Sequence, residues 1–369
     1  MKSLLILTAS FGEGHNAAAR NLRDALAAIS PETKVVVSDP FQEAYGAFNR
    51  LCAKAYLGII NHLPGVWQKA FEVLDNTKLV EQHMGLYGAA ANLLEGLLDQ
   101  HRPDTVVSVY PGCNHLLDYV ARRRVRRPYR TVTIITDSLT INSVWHRAHS
   151  DLFLVANEAT AEIVREAGVP AEKVRAPGFP VPRVFATFGD RHKTPPADGK
   201  WKVLYVVNSG HHVAPAIVRE LLAIENVALT VTVGKDEELR KRIEAASNGN
   251  PPEIYGWTPE LPRLMAENHL LISKAGGATV QETLAACTPM IITQVVPGQE
   301  EGNARLILES GAGALATSPT AIADAVREAV AGGGQVWTDW HRAATALSRP
   351  EASEDIARSL LQIQNGTPR

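Results

Sequence analysis

Cysteine is scarce in this chain: Cys52, Cys113 and Cys287 are the only three in 369 residues, far apart and without metal-ligand spacing. That excludes a disulfide framework and fits a reduced, cytoplasmic compartment. A charge bias is missing too. With 37 Lys and Arg against 39 Asp and Glu, the net charge is −2, which gives no basis for wholesale nucleic-acid binding. No run reaches the roughly 18 apolar residues that a membrane span needs. The opening MKSLLILTAS is too short for a signal h-region and runs into FGEGH, which has the look of a strand-to-helix turn. The protein is expected to be soluble or peripheral. Its 45% hydrophobic and 21% charged residues exclude extensive disorder, and its length suits two α/β domains better than one core.

What is present is alternation. Short β-branched runs (LLILTA, KVVVS, DTVVSVY, RTVTIIT, DLFLVAN) are separated by helical patterns such as NAAARNLRDALAAI, with Leu22, Ala25, Leu26 and Ile29 at helical spacing. KVLYVVN, VALTVTVG, EIYGW, HLLISK and PMIITQ repeat the theme. Strands alternating with helices, without hairpin dipeptides, predict parallel sheets of βαβ units. The polar, Pro- and Gly-rich stretch 187–200 reads as a linker between a first domain, 1–186, and a second, 201–335. Helices over 336–369 follow, the last expected to return to the first domain. Two doubly wound domains would face across a cleft, with ligands at the carboxyl ends of the strands.

The first turn, SFGEGHNAAAR, carries Gly12 and Gly14, which allow positive φ and close ligand approach. A dinucleotide fingerprint would need a glycine where Ala17 stands. His15, after strand one, is either a general base facing the cleft or a histidine bonded to a nearby carbonyl. Asp137 closes the apolar TIIT strand. It either caps the next turn through the Ser138 or Leu139 amides, or acts as a base or the group that orients one. In ISKAGGATVQETLAA, Thr279 and Glu282 have capping-box spacing. Against that plain role stand Gly276 and Gly277, which clear a helix start suited to a phosphate, and Lys274 beside them. Gln299, Glu300, Glu301 and Asn303 crowd the next polar turn. Asn303 alone suits an N-cap; the Gln-Glu pair suits sugar hydroxyls. A diphosphate flanked by hydroxyl readers is a nucleotide sugar.

At these residues the chain resembles glycosyltransferase family 28, nearest the branch of monogalactosyldiacylglycerol synthases and processive diacylglycerol glucosyltransferases. SFGEGHNAAARNL, PDTVVSVYP, VTIITDS, SKAGGATVQETLAACTPMI and VPGQEEGNARLILESGAG carry the resemblance, in order and over nearly the whole chain. It implies a GT-B fold, a UDP-sugar donor in the C-terminal domain, an acceptor in the N-terminal domain and inversion without a bound metal or other cofactor. It further implies that Glu282 holds the ribose and the Gly276–Gly277 turn faces the diphosphate. Gln299 and Glu300 would read the sugar, with Asn303 closing that turn, and the backbone around Gly256, next to Trp257, would receive the uracil. His15 and Asp137 match positions of the family's base and acceptor contacts. No D-x-D occurs in the chain, so the helix start, Lys274 and Ser209 would carry the diphosphate. The chain departs from the family at NSGHHVAP, where Gly210, His211 and His212 replace a glycine-rich turn. It departs again at Asn142, ahead of Trp145, where lipid-acting members often carry histidine; Asn142 and Trp145, with Gly12 and Gly14, are the expected acceptor contacts there.

Residues 41–74 are rich in aromatics. Tyr45, Phe48, Tyr56, Trp67 and Phe71, with Arg50, Lys54 and Lys69, form either an interfacial and acceptor surface or a cover for the first sheet. The run ARRRVRRPYR, residues 121–130, with six arginines, is either a solvated helix end or a patch for anionic lipid headgroups. The expected partners are therefore a UDP-sugar, a lipid or lipid-like acceptor and an anionic membrane surface, on its cytoplasmic face. A UDP-sugar 2-epimerase and a non-catalytic nucleotide-sugar binder are the alternatives.

Overall fold

The computed structural model describes residues 2–124, 127–188, 193–247 and 249–365. Its first sheet contains β1 (Ser3–Leu7), β2 (Lys34–Ser38), β3 (Thr105–Ser108), β4 (Arg130–Ile134), β5 (Leu152–Leu154) and β6 (Val174–Arg175), in the order β2-β1-β3-β4-β5-β6. The second contains β7 (Trp201–Val206), β8 (Val227–Thr232), β9 (Glu253–Tyr255), β10 (Leu270–Ser273), β11 (Met290–Ile292) and β12 (Gly313–Leu315), in the order β12-β11-β10-β7-β8-β9. Every strand pair in both is parallel. The β-branched runs became strands because helices cover both faces of a parallel sheet, so strands such as β1, β3 and β10 are buried from end to end. The sequence reading missed β6 and β12. The first is two residues long. The second opens on Gly313, where any side chain would run into the Met290 carbonyl, so the position that joins it to the sheet hides its strand character.

Each sheet reverses its strand order once. In the first the reversal lies between β1 and β3, and in the second between β7 and β10. In an open parallel sheet these are the places where a crevice forms beyond the carboxyl ends of the strands.

The chain divides into two compact units. One comprises Met1–Arg183, Val296–Gly302 and Glu351–Arg369; the other comprises Val184–Val295 and Asn303–Pro350. In the first, the helix Ala352–Asn365 packs along the helix Glu13–Ile29. Ser353 Oγ bonds to the Val181 carbonyl at 2.5 Å, and Arg183 pairs with Glu354 at 3.0 Å. In the second, Trp201 and Trp337 sit edge to face, 5.2 Å apart, in a core built on Val203, Leu270 and Ile291. Of the expected linker, residues 189–192 lie outside the described residues. Lys193 is anchored to the second unit, its ammonium donating to the carbonyls of Met265 and Asn268 at 3.0 and 2.6 Å. Among the described residues, no helix is long and apolar enough to cross a membrane.

Candidate active site

Each unit presents candidate residues on the loops and helix starts that flank its own switch point, His15 in the first and Ser209, Lys274 and Gly276 in the second. In the first unit, the loop after β1 turns at Gly12, whose φ of 137° no L side chain adopts readily, and the helix Glu13–Ile29 begins at once. Gly14 is helical; the positive φ expected of it is absent, because it lies inside the first turn. The space above both glycines is open. This turn carries His15 across to the end of β3, where its Nδ1 lies 2.8 Å from the Val109 carbonyl and 3.1 Å from Thr136 Oγ1. A carbonyl only accepts, so Nδ1 carries the proton and Nε2 keeps its lone pair. The ring packs edge-on against Tyr110, 5.1 Å away, and lies 6.1 Å from Trp145. Burial pushes the imidazole pKa down to about 4, opposed by the Val109 bond. A neutral histidine with a free acceptor nitrogen is the form a general base requires.

Asp137 follows Thr136. Its Oδ2 accepts from Trp145 Nε1 at 2.7 Å. Burial raises its pKa to about 6, the indole bond opposes that shift, and the Glu300 carboxylate adds to it. The capping role through the Leu139 amide is not what forms, since that amide donates to Thr160 Oγ1. Leu139 itself is held at a φ of 57°, a strained conformation next to the candidate base. Nor does Asp137 orient His15 through Nδ1, which the Val109 carbonyl takes.

Two acceptor residues expected from the sequence have other work. Trp145 is 1% exposed, so the indole serves Asp137. Asn142 is buried with both ends of its amide engaged: Nδ2 donates to the Phe71 carbonyl at 3.0 Å and Oδ1 accepts from the Val144 amide at 3.1 Å. The aromatics of 41–74 divide. Phe48 is 65% exposed, whereas Tyr45, Tyr56, Trp67 and Phe71 are half-buried, which removes these four from the expected interfacial surface. They turn inward because they find ring partners. Phe11 stacks on Tyr110, Tyr56 meets Phe11 and Trp67 edge-on, and Trp67 meets Phe71. A continuous aromatic wall thus starts at His15. Trp67 Nε1 is buried without a partner among the described residues.

The segment Val296–Gly302 belongs to this unit. Tyr56 donates to Gln299 Oε1 at 2.8 Å. Glu300 is 5% exposed and takes the Val296 amide at 3.0 Å. Half of the arginine run is paired with carboxylates. Arg123, Arg124 and Arg127 pair with Glu95, Asp99 and Asp151, and Arg126 lies outside the described residues. That weakens the expected attraction to anionic headgroups.

In the second unit, the loops after β7 and β10 flank the switch point. Asn208 Oδ1 accepts the Lys274 amide at 3.5 Å and links them. The half-buried Ser209 and Gly210, at φ 62°, form the first loop. His211 turns instead to Asp236, Nδ1 to Oδ2 at 3.0 Å, which ties the expected donor contact to a neighbouring helix. In the second loop Gly276 is the N-cap of the helix Gly277–Ala285 and supplies no side-chain cap. The amides of Gly277, Ala278 and Thr279 therefore have no intrahelical acceptor. Lys274 is partly exposed beside them. Thr279 is inside the helix, so the capping box with Glu282 does not form, and Glu282 lies in the second turn, half-buried. Asn303 is not an N-cap either. It sits inside the helix Glu301–Ser310, 2% exposed, with Nδ2 donating to the Ala275 carbonyl at 3.2 Å and Oδ1 buried without a partner among the described residues. Gly256 packs near the Gly234 carbonyl, and Trp257, 71% exposed, has the Lys235 ammonium 6.0 Å from its ring centroid.

Sequence reasoning overlooked Val109, Thr136, Tyr110, Phe11 and Asn208. Val109 acts through its backbone, which leaves no mark in a sequence.

Residues 15–181 match the family model for monogalactosyldiacylglycerol (MGDG) synthase, and residues 211–330 match that for the glycosyltransferase family 28 C-terminal domain. The chain is 24% identical to monogalactosyldiacylglycerol synthase 3, chloroplastic, of Arabidopsis thaliana, covering 98% of this chain and 81% of that one. It is 25% identical to processive diacylglycerol beta-glucosyltransferase of Bacillus subtilis (strain 168), covering 89% and 87%. Among solved structures, Acinetobacter baumannii MurG superposes with a TM-score of 0.64 at 15% identity, over 98% of this chain and all of that one. UDP-GlcNAc 2-epimerase from Neisseria meningitidis gives 0.60 at 14%, with the same coverage. These two likenesses show the fold, which is GT-B. The chain belongs to glycosyltransferase family 28, in the branch of the monogalactosyldiacylglycerol synthases and processive diacylglycerol glucosyltransferases, and is a glycosyltransferase.

Proposed function

We propose that this enzyme moves a hexose from a UDP-sugar to a hydroxyl of a diacylglycerol-type lipid, with inversion and without a metal. The observation that carries the reading is His15, neutral and fixed by the Val109 carbonyl in the tautomer that leaves Nε2 basic. In the transfer, Nε2 takes the acceptor O–H proton and the oxygen attacks the anomeric carbon from the face opposite the leaving group. The bond from that carbon to the diphosphate oxygen breaks, and UDP departs with the electron pair. Asp137 is the second candidate for the proton, its carboxyl raised to about 6 by burial.

The second unit supplies the donor half of the reading. The uncapped amides at Gly277–Thr279 and the nearby Lys274 suit the developing charge on the diphosphate, the work a metal does elsewhere. Glu282 holds the ribose hydroxyls, and Trp257 and Gly256 receive the base. Gln299 and Glu300 read the hexose. The relatives named for diacylglycerol support the acceptor class. So does the surface of the helices Ala47–His62 and Pro64–Asn76, where Phe48, Leu51, Leu63, Val66 and Val73 are 46–65% exposed. From 47 to 70 there is no acidic residue, while Arg50, Lys54 and Lys69 are exposed. An apolar face rimmed by cations fits an anionic membrane surface on the cytoplasmic side.

The test is release of UDP from UDP-hexoses on vesicles with and without diacylglycerol, in excess EDTA, with NMR of the product's anomeric configuration. Acceptor-dependent release and an inverted glycolipid are expected. Interconversion of the sugars without acceptor would instead indicate an epimerase, and loss of activity in EDTA would remove the metal-free mechanism. Flotation with anionic vesicles should fall for a Phe48→Ser, Leu51→Ser double variant.

A further inference from the structure

The segment Val296–Gly302 is bound to the two helices that carry the exposed apolar face. Tyr56, on the helix Ala47–His62, donates its phenol proton to Gln299 Oε1 at 2.8 Å, across 243 residues of sequence. Phe71, on the helix Pro64–Asn76, lies flat enough on Gly298 that a Cβ there would come within 2.8 Å of its Cδ1. Glu300 closes the segment on itself, its amide donating to the Val296 carbonyl at 2.9 Å and its Oε2 accepting the Val296 amide. At the far end Gly302 presses on the Ser138 carbonyl and the Thr140 amide, one residue beyond Asp137. All of these contacts lie within the first unit.

A carboxamide has two ends that differ in chemistry and scarcely in shape. A hydroxyl donating to Oε1 leaves the NH2 end to face a ligand. Without that donor the group rotates, and either end can meet a sugar hydroxyl.

We propose that Tyr56 is the positioning residue that sets the Gln299 carboxamide for reading the donor hexose, so that the lipid-facing helix pair and the sugar-reading segment form one element. The inference rests on the assignment of Gln299 as a hexose reader. Burial holds the phenol's pKa well above its ordinary value, so it remains a donor throughout the working range. The neighbouring Tyr56–Trp67 contact, 5.0 Å and edge to face, fixes the ring that delivers the hydroxyl.

The experiment compares Tyr56→Phe and Gln299→Ala with the native enzyme on diacylglycerol-containing vesicles, using UDP-glucose and UDP-galactose as donors and UDP as a competitive inhibitor. Phenylalanine keeps the ring packing and deletes only the hydroxyl. Loss of one such hydrogen bond should raise KM for the preferred donor about three- to ten-fold. It should also narrow the preference between the epimers, while UDP inhibition and kcat hold. Gln299→Ala should act in the same direction. If Gln299→Ala changes donor preference and Tyr56→Phe does not, the positioning role is overturned and the sugar-reading role stands. If neither changes it, both fall. A Tyr56→Phe effect confined to the acceptor KM would make Tyr56 an acceptor contact and overturn the proposal.

Discussion

Replacing Asp137 by Asn should stabilise the protein at pH 8, and the gain can be worked from the site. Burial lifts this carboxyl from 3.8 to about 6. At about 1.4 kcal/mol per pH unit, keeping it ionised above pH 7 costs the fold roughly 3 kcal/mol. Its partly open edge admits water, and the neutral Asn accepts a weaker bond from Trp145 than the carboxylate does. Together these reduce the expected gain to about 1–2 kcal/mol. The folded pKa lies above the unfolded one, so between about 4 and about 6 the folded state holds more protons. Wild-type stability from this group is therefore full below pH 4 and is lost as pH rises through 6. His15, lowered to about 4, tilts the curve the opposite way, gaining stability as pH rises toward 6.5. The difference between variant and wild type isolates Asp137. Thermal unfolding followed by circular dichroism should show the variant about 3–6 °C more stable at pH 8, with the difference shrinking as pH falls and nearly gone by about pH 3.5. A difference that does not vary with pH, or a variant less stable at pH 8, would refute the argument. In that case the carboxyl is better solvated than its surroundings suggest.

The acid limb of kcat/KM separates the two candidate bases: a limb near pH 6 reports Asp137, and one near pH 4 reports His15 as the sole essential base. His15→Ala should cut the chemical rate by about 10²- to 10⁴-fold with UDP affinity preserved in titration calorimetry; an unaltered rate would move the proton to Asp137. Glu282→Ala should weaken UDP about tenfold or more by loss of a charge-assisted contact to the ribose. Unchanged affinity with a lowered unfolding temperature would make that glutamate structural. Gly302→Ala forces a side chain onto the Ser138 carbonyl and should cost more than about 2 kcal/mol in denaturant unfolding. A neutral result would mean the segment is not seated there.

The sequence by itself determined the alternation of strands and helices, ten of the strands, and the residues that gather at their carboxyl ends. Those are local matters: β-branched runs, helical spacing and glycine turns act over a few residues and leave their pattern in the chain. It could not distinguish the roles of identical residue types. Asn142 and Trp145 read as acceptor contacts, yet burial beside Phe71, Val144 and Asp137 satisfies them internally. Thr279 and Glu282 had capping spacing, but the helix begins two residues before Thr279, at Gly277. Which tautomer His15 adopts was settled by the carbonyl of Val109, 94 residues away. That Val296–Gly302 joins the first unit was settled by Tyr56, Phe71 and Ser138. Partners so distant in the chain meet only when the sheets close their cores, and a desolvated group takes its proton affinity from neighbours the chain order does not reveal.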